Sequence, residues 1–193
     1  MKIIGLSGKM QSGKSTVAEW LEGQLKYTQI YGFSYPIKVM CLQYFNSSFT
    51  PNELNGQSAK ESLHESGLTY RQILVRLGIE MRNIWNDVWV RKWAESICAP
   101  WGEESTVTIV PDVRFPNEVK AIQDMGGIVI RLTRDPVGSM DETETALDIE
   151  GNYYTGFKNT NKKRFDHIVD NSDLSIGETN KICLKIAREY ING

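Results

Sequence analysis

The sequence predicts an α/β fold in which helices cover both faces of a parallel sheet. Short β-branched segments such as 106–110 have the length and composition of buried parallel strands. These segments alternate along the chain with segments of helical periodicity. The first strand, residues 3–6, leads through a glycine-containing loop into a helix. This order of strand, loop and helix is typical of the beginning of a βαβ unit.

The first third of the chain gives two strands and two helices. Val17, Leu21 and Leu25 recur at helical spacing and place one face of the first helix against the sheet. Residues 29–33 form a short second strand. A helix then begins near Pro36, because proline is tolerated in the first turn, where its missing N–H would have no partner anyway.

The middle of the chain is predicted to be helical, and its first part is predicted to be poorly packed. Residues 46–69 are polar, and we expect an exposed excursion with a short helix that begins at 50–53. The capping-box pattern of residues 69–72 begins a longer helix, which Gly78 should weaken. Another helix follows from Asp87.

The last half contains three more strands. Strand 106–110 should end at Pro111, and a helix over 117–125 should stop at the two glycines 126–127. Strands follow at 128–132 and 166–169. The last helix begins at the capping box 175–178 and should bury the side that carries the apolar residues Ile182, Ile186 and Tyr190.

Length and charge limit the possible functions. The 193 residues suit one domain, 1–193, with a helical substrate-binding insertion at 46–100 and a lid-like segment at 135–164. The net charge of −2 gives no overall attraction to nucleic acid or to anionic membranes. Because no segment resembles a signal peptide or a membrane span, we expect a cytoplasmic protein. Three scattered cysteines and two histidines predict reduced thiols and no Cys/His metal site.

The loop after the first strand reads G-x-x-x-x-G-K-S, a pattern typical of nucleotide phosphate sites. A loop that binds polyphosphate turns backbone N–H groups inward, and glycines permit the dihedral angles that this requires. The same letters could form an ordinary surface turn, but the flanking strand and helix favour phosphate binding. We expect Lys14 to reach the β- and γ-phosphates and Ser15 to ligate Mg²⁺. The residues expected to bind the donor nucleotide are Gly8, Met10, Gln11, Ser12, Gly13, Lys14, Ser15 and Thr16.

Asp112 follows strand 106–110 and should lie at the carboxyl edge of the sheet, where ligands bind. A carboxylate there can hold Mg²⁺ opposite Ser15, although an aspartate that merely caps a loop is the alternative. Val113, not a glutamate, comes next. Without an acid to orient water, transfer to another acceptor is favoured, and a phosphate monoester is an anionic nucleophile that needs no general base.

Phosphoryl transfer between two anions requires positive charge, and arginine binds phosphate oxygens bidentately. We expect this role for Arg71, Arg114 and Arg134. Surface or ion-pair roles are equally plausible for Arg76, Arg82, Arg91 and Arg131. Stacking on a nucleobase is the hypothesis for Phe33 and Tyr35, whereas other aromatic residues suit the core.

Several segments match one family in sequence order. They are 5–16, 33–38, 69–78, 89–91, 110–118, 126–131 and 143–147, and the D-x-R-F-P-N-E segment at 112–118 is the most diagnostic. Together they resemble the bacteriophage deoxynucleoside monophosphate kinases, a branch of the P-loop nucleoside monophosphate kinases.

The resemblance implies a P-loop NTPase fold, a three-layer α/β/α arrangement with a five-stranded parallel sheet. It also implies phosphorylation of deoxynucleoside monophosphates with ATP and Mg²⁺, a closing lid, a location in the host cytoplasm, and a chain that can form a homodimer. The implied catalytic residues are Lys14, Arg114 and Arg134. The implied substrate-binding residues are Phe33, Lys38, Arg71, Arg76, Asp112, Arg114 and Glu144.

Two alternatives remain open at this point. The chain could be a P-loop kinase of another small acceptor, such as dephospho-coenzyme A, because those kinases share the early loop pattern. It could also be a nucleotide-dependent binding module without phosphotransfer. Products formed from a panel of monophosphates distinguish the three.

Overall fold

The computed structural model describes residues 1–45, 48–98, 107–134, 147 and 165–193. The chain divides into two compact units. One unit, the sheet unit, comprises Met1–Gly32 and Pro100–Gly193. The other, the helical unit, comprises Phe33–Ala99. The expectation of a single domain with an insertion at 46–100 and a lid at 135–164 stays a prediction, and almost all of the lid lies outside the described residues.

The sheet unit contains a five-stranded parallel sheet, as predicted. Its strand order is β2-β3-β1-β4-β5, and every neighbouring pair is parallel. The strands are β1 (Lys2–Ser7), β2 (Thr28–Ile30), β3 (Val107–Val113), β4 (Ile128–Thr133) and β5 (His167–Asp170). The helices are α1 (Lys14–Gln24), α6 (Pro116–Asp124) and α7 (Ile176–Asn192).

Helices cover both faces of this sheet. On one face Ile4 and Leu6 of β1 share a buried cluster with residues of α1 and α7. The other face receives α6, whose Ile122 side chain lies so close to Gly5 that an added Cβ would be 2.7 Å from it. This alternation along β1 gives the three-layer arrangement.

The helical unit consists of α2 (Tyr35–Tyr44), α3 (Gln57–Glu61), α4 (Tyr70–Ile84), α5 (Val88–Ile97) and a short 3-10 helix at Glu53–Asn55. The predicted capping box at the start of α4 is present, with reciprocal hydrogen bonds between Thr69 and Gln72. Gly78, which is predicted to weaken this helix, lies inside the continuous α4. A Cβ there would lie 3.5 Å from Ile37 of α2, and the Gly78 carbonyl accepts a hydrogen bond from the Trp89 indole.

The prediction that Pro111 ends the third strand is wrong. β3 continues to Val113, and its register with β1 shifts between the pairs Gly5–Val110 and Ser7–Val113. Three steps along β3 match two along β1, so β3 carries a bulge that includes Pro111. β2 pairs with β3 only as far as Ile109, so Pro111 interrupts no pairing with β2.

Two other boundaries differ from expectation. The second strand ends at Ile30 and not at Phe33. In α7 the fully buried side carries Thr179, Cys183 and Ala187, and Ile182 is 39% exposed. The inward side is therefore rotated from the predicted one, although Ile186 and Tyr190 do pack against the core.

Candidate active site

The loop between β1 and α1 has the backbone of an anion-binding loop. Gly8 and Gly13 have φ angles of 154° and 94°, and Gln11 adopts a left-handed φ of 64°. The Ser12 N–H donates to the Lys9 carbonyl at 3.2 Å, which closes a turn inside the loop. Successive residues of this kind form a concave surface of N–H groups. The predicted loop is therefore present between strand and helix.

Gly8 is required by close packing as well as by its φ angle. A Cβ at Gly8 would lie 2.4 Å from the Ser12 Oγ and 2.7 Å from the backbone oxygen of Leu132. The second contact is with a neighbouring strand, which cannot move as a side chain can. Only glycine therefore allows the loop to leave β1 at this distance from β4.

Lys14 is the first residue of α1 and lies over the loop. Its ammonium donates to the carbonyls of Gly8 at 2.7 Å and Lys9 at 2.6 Å. Lys14 therefore places a positive charge beside the loop that precedes it. Met10, at the tip of the loop, is 40% exposed.

A cavity of about 270 Å³ opens beside the loop and the first turn of α1. It brings together Lys14, Ser15 and Arg134, three of the predicted site residues. The opposite side comes from the end of β5 and the start of α7. The lining residues are Gln11, Gly13, Lys14, Ser15, Thr16, Val17, Arg134, Asn171, Ile176, Thr179 and Asn180.

Asp112 lies at the same edge of the sheet as the loop, because Val113 pairs with Ser7, the last residue of β1. Gly32, which follows β2, packs directly against its carboxylate. A Cβ at Gly32 would be 2.5 Å from both carboxylate oxygens. Asp112 has room here only because residue 32 has no side chain, and no local sequence pattern predicts this contact.

Arg114 follows β3 and is half-buried, and Glu118 fixes its backbone. The Glu118 side chain is 1% exposed and accepts hydrogen bonds from the N–H groups of Arg114 at 2.7 Å and Phe115 at 3.1 Å. Glu118 stands at the third position of α6, where an acidic side chain can return to the start of its helix. Glu118, the glutamate that ends D-x-R-F-P-N-E, therefore holds in place the segment that carries Asp112 and Arg114.

Arg131 lies in β4 and contacts the end of the strand that leads into the phosphate loop. Its guanidinium is buried, donates to the Ser7 hydroxyl at 3.0 Å and lies 5.4 Å from the centre of the Phe165 ring. Ser7 is the last residue before the phosphate loop. The buried charge therefore lies beneath the loop, and sequence reasoning left its role open.

In the helical unit, two predicted substrate-binding residues are buried. Phe33 is 2% exposed, and its ring centroid is 4.5 Å from that of Trp93. This arrangement favours packing over base stacking. Lys38 is 8% exposed and donates to the side-chain oxygen of Asn55 at 2.5 Å.

The predicted arginines of α4 differ in their surroundings. Arg71 donates to Glu61 at 2.5 Å and to the side-chain oxygen of Gln57 at 2.8 Å, so α3 holds its guanidinium. Arg76 is exposed. Glu144, the predicted lid residue, lies outside the described residues.

The cysteines have the character expected of structural thiols. All three are free; Cys41 and Cys183 are buried and Cys98 is exposed. Burial raises the pKa of Cys41, and it raises the pKa of Cys183 to about 11. A thiol that stays protonated is a poor nucleophile and metal ligand. Among the described residues, no cluster of three His, Cys, Asp or Glu side chains could hold a metal.

Sequence reasoning missed three residues that shape the site: Gly32, Glu118 and Asn171. Asn171 is 2% exposed, and its amide donates to the Ser12 carbonyl at 3.0 Å. Glu118 could have been found, because a glutamate two residues after Pro116 suggests the first turn of a helix. The contacts of Gly32 and Asn171 join residues 80 and 159 positions apart and have no local sequence signal.

Comparisons with solved structures concern the fold, an α/β arrangement that this chain shares with a P-loop kinase. The chain superposes on the dephospho-CoA kinase from Campylobacter jejuni with a TM-score of 0.51 and 16% identity, over 100% of this chain and 99% of that one. The Deinococcus radiodurans tunicamycin resistance protein gives a TM-score of 0.47 and 13% identity, over 97% of this chain and 94% of that one.

A curated relative from Acanthamoeba polyphaga mimivirus is named "Putative deoxynucleotide monophosphate kinase". It is 27% identical over 165 residues, which are 77% of this chain and 82% of the relative. No family model matches the chain. In the parts of the chain that the structure describes, no helix has the length and apolarity needed to cross a membrane.

Proposed function

We propose that this protein transfers the γ-phosphoryl group of ATP to deoxynucleoside 5′-monophosphates. The observation that carries the proposal is the cavity at the phosphate loop, where Lys14, Ser15 and Arg134 meet. The mimivirus relative supports the acceptor class by its name. The fold shared with dephospho-CoA kinase supports a kinase and not the choice of acceptor.

The loop and cavity are suited to the donor nucleotide. The N–H groups of the loop and of the first turn of α1 would bind the β- and γ-phosphates, and Lys14 would exchange its contacts with loop carbonyls for phosphate oxygens. Arg134, on the wall of the same cavity, would neutralise charge on the donor. The residues that we propose for donor binding are Gly8, Met10, Gln11, Ser12, Gly13, Lys14, Ser15 and Thr16.

Ser15 and Asp112 fit a magnesium ion. They offer a hydroxyl and a carboxylate, the hard oxygen ligands that Mg²⁺ prefers. Gly32 leaves the Asp112 carboxylate the space it occupies at the edge of the sheet. Held by these two side chains, Mg²⁺ would supply positive charge that offsets the charge of the phosphates.

The acceptor phosphate needs positive charge close to it more than it needs a general base. Its oxygens are anionic at neutral pH, so phosphoryl transfer breaks the bond between the β–γ bridging oxygen and the γ-phosphorus and forms one to the acceptor oxygen. We assign Arg114 to neutralise this charge, and Arg71 and Arg76 of the helical unit to hold the acceptor. We also assign Glu144 to substrate binding, and closure of the lid-like segment 135–164 would exclude water that competes as acceptor.

A panel of acceptors tests the proposal. Purified protein with ATP and Mg²⁺ is assayed for ADP release with each deoxynucleoside monophosphate, each ribonucleoside monophosphate and dephospho-coenzyme A. We expect a diphosphate product with at least one deoxynucleoside monophosphate. Product with dephospho-coenzyme A alone would replace the acceptor, whereas tight ATP binding without any product would indicate a binding module.

A further inference from the structure

Asn171 joins three parts of the donor site. It directly follows β5, and its backbone N–H donates to the carbonyl of Thr133, the last residue of β4, at 2.8 Å. Its side-chain amide donates to the Ser12 carbonyl of the phosphate loop at 3.0 Å. Arg134 follows Thr133, so one residue contacts both the loop and the strand end that delivers Arg134.

The Ser12 carbonyl has a particular need for this partner. Ser12 lies between Gln11 and Gly13, both with left-handed φ angles, and before the first hydrogen bond of α1, from Val17 to the Gly13 carbonyl. The helical hydrogen bonds of α1 therefore begin at the Gly13 carbonyl, one residue after Ser12, and do not include the Ser12 carbonyl. Ser12 is 1% exposed, and a buried carbonyl without a partner is costly.

The Asn171 bond also fixes the direction of the loop. Ser12 packs against Gly8, with no room for a Cβ between them, and its N–H donates back to Lys9. Its carbonyl is held from outside by Asn171. The peptide groups around Ser12 are thus constrained from both sides, and these groups carry the N–H donors that face an anion.

We propose that Asn171 is a positioning residue, which holds the phosphate loop in its anion-binding shape through the Ser12 carbonyl. The inference rests on the proposed function, because it takes a polyphosphate nucleotide as the ligand. Asn171 also lines the cavity, and its Oδ1 has no hydrogen-bond partner among the described residues. A direct contact between Asn171 and the donor base is therefore the competing role.

Inorganic tripolyphosphate separates these two roles, because it has no base. A fluorescent ATP analogue is displaced by ATP or by tripolyphosphate from wild-type protein, Asn171→Ala and Asn171→Leu. Leucine fills the space of asparagine without a donor, so it retains packing if alanine lowers stability too far. Ser172→Ala is the matched control, because Ser172 is the next residue in the chain, its hydroxyl donates to Asp170 at 2.7 Å, and it does not line the cavity.

We expect both Asn171 variants to weaken ATP and tripolyphosphate by the same factor, about tenfold, equivalent to about 1.4 kcal/mol. Ser172→Ala should leave the tripolyphosphate affinity within about twofold, a difference of less than about 0.5 kcal/mol. Weakening of ATP alone would overturn the inference and assign Asn171 to the base. Unchanged affinity for both ligands would also overturn it. Wild-type protein that binds neither ligand would overturn the proposed donor, and the inference with it.

Discussion

The two units place their candidate residues by different means. In the sheet unit the backbone does this: positive φ angles shape the loop, strand register brings Asp112 to the edge of β1, and glycines 8 and 32 allow close approach. In the helical unit, contacts between side chains place the candidate residues, as in the ion pair between Arg71 and Glu61. A backbone-built site tolerates few substitutions, whereas a site built from helix side chains can change without changing the fold.

The largest effect is expected from Lys14→Ala. Lys14 is half-buried and its ammonium donates to two loop carbonyls, so the fold should persist while turnover falls by at least about 100-fold. The measurement is ADP release with the best acceptor, together with thermal unfolding. Lys185→Ala, which alters an exposed pair with Glu189 on α7, should keep its activity. Near-wild-type turnover in Lys14→Ala would contradict the donor site.

Gly32→Ala tests whether the backbone also positions the metal ligand. The added methyl would lie 2.5 Å from the Asp112 carboxylate, which must move. We expect the Mg²⁺ concentration for half-maximal activity to rise about tenfold, a loss of about 1.4 kcal/mol. Gly23→Ala in α1 is the control, because nothing lies within 4 Å of its Cβ position, and it should leave the Mg²⁺ dependence unchanged. An unaltered titration in Gly32→Ala would remove Asp112 from the proposed metal site.

Two variants in the helical unit test whether Arg71 binds the acceptor or only forms an ion pair with Glu61. If Arg71 binds the acceptor, Arg71→Ala should raise the acceptor KM several-fold, whereas Glu61→Gln, which removes only the ion-pair partner, should not raise it. The pair is partly exposed, so its loss alone costs less than about 1 kcal/mol. Equal, small effects of both variants on KM would leave Arg71 with only its structural role.

The smallest effects concern the helix caps, one in each unit. Thr69→Ala removes the cap of α4 and should cost about 1 kcal/mol of unfolding free energy. Ser175→Ala removes the cap of α7 in the sheet unit. Denaturant unfolding measures both, and neither variant should alter the KM for either substrate. A changed acceptor KM in Thr69→Ala would show that acceptor binding depends on the start of α4.

The Ser175 effect should also depend on pH. Hydrogen bonds from Ser175 lower the pKa of Glu178. A lowered carboxylate pKa stabilises the fold above the ordinary glutamate range, and this contribution is lost as the pH falls through the lowered value. The difference between wild type and Ser175→Ala should therefore shrink on acidification below pH of about 4. A difference that grows with acidity would contradict the assigned hydrogen bonds.

Local patterns predicted most of the fold. The strand, loop and helix at residues 3–25, the caps at Thr69 and Ser175 and the end of α6 at the glycines depend on near neighbours, and the structure confirms them. Pro111 misled the prediction because the rule that proline ends a strand assumes a partner on both sides. The prediction that Ile182 is buried was wrong because the spacing of apolar residues gives the period of a helix but not its rotation against the sheet.

The candidate site was less predictable. The sequence motif identified Lys14 and Ser15, and the order of strands brought Asp112 to the edge of the sheet. The contact of Gly32 with Asp112 and the bond from Asn171 to Ser12 depend on distant segments that meet only in the folded sheet. The roles of Phe33, Lys38, Arg71, Arg76 and Glu144 stay predictions.

The bulge of β3 has a further consequence for the segment that extends beyond β2. Past Ile109 this segment has no strand partner in β2, so an amide there would need another acceptor. Proline has no amide hydrogen, and the bulge bends the backbone away from regular pairing. Pro111 therefore removes one donor that would otherwise need an acceptor beside Asp112, where Gly32 packs against the carboxylate.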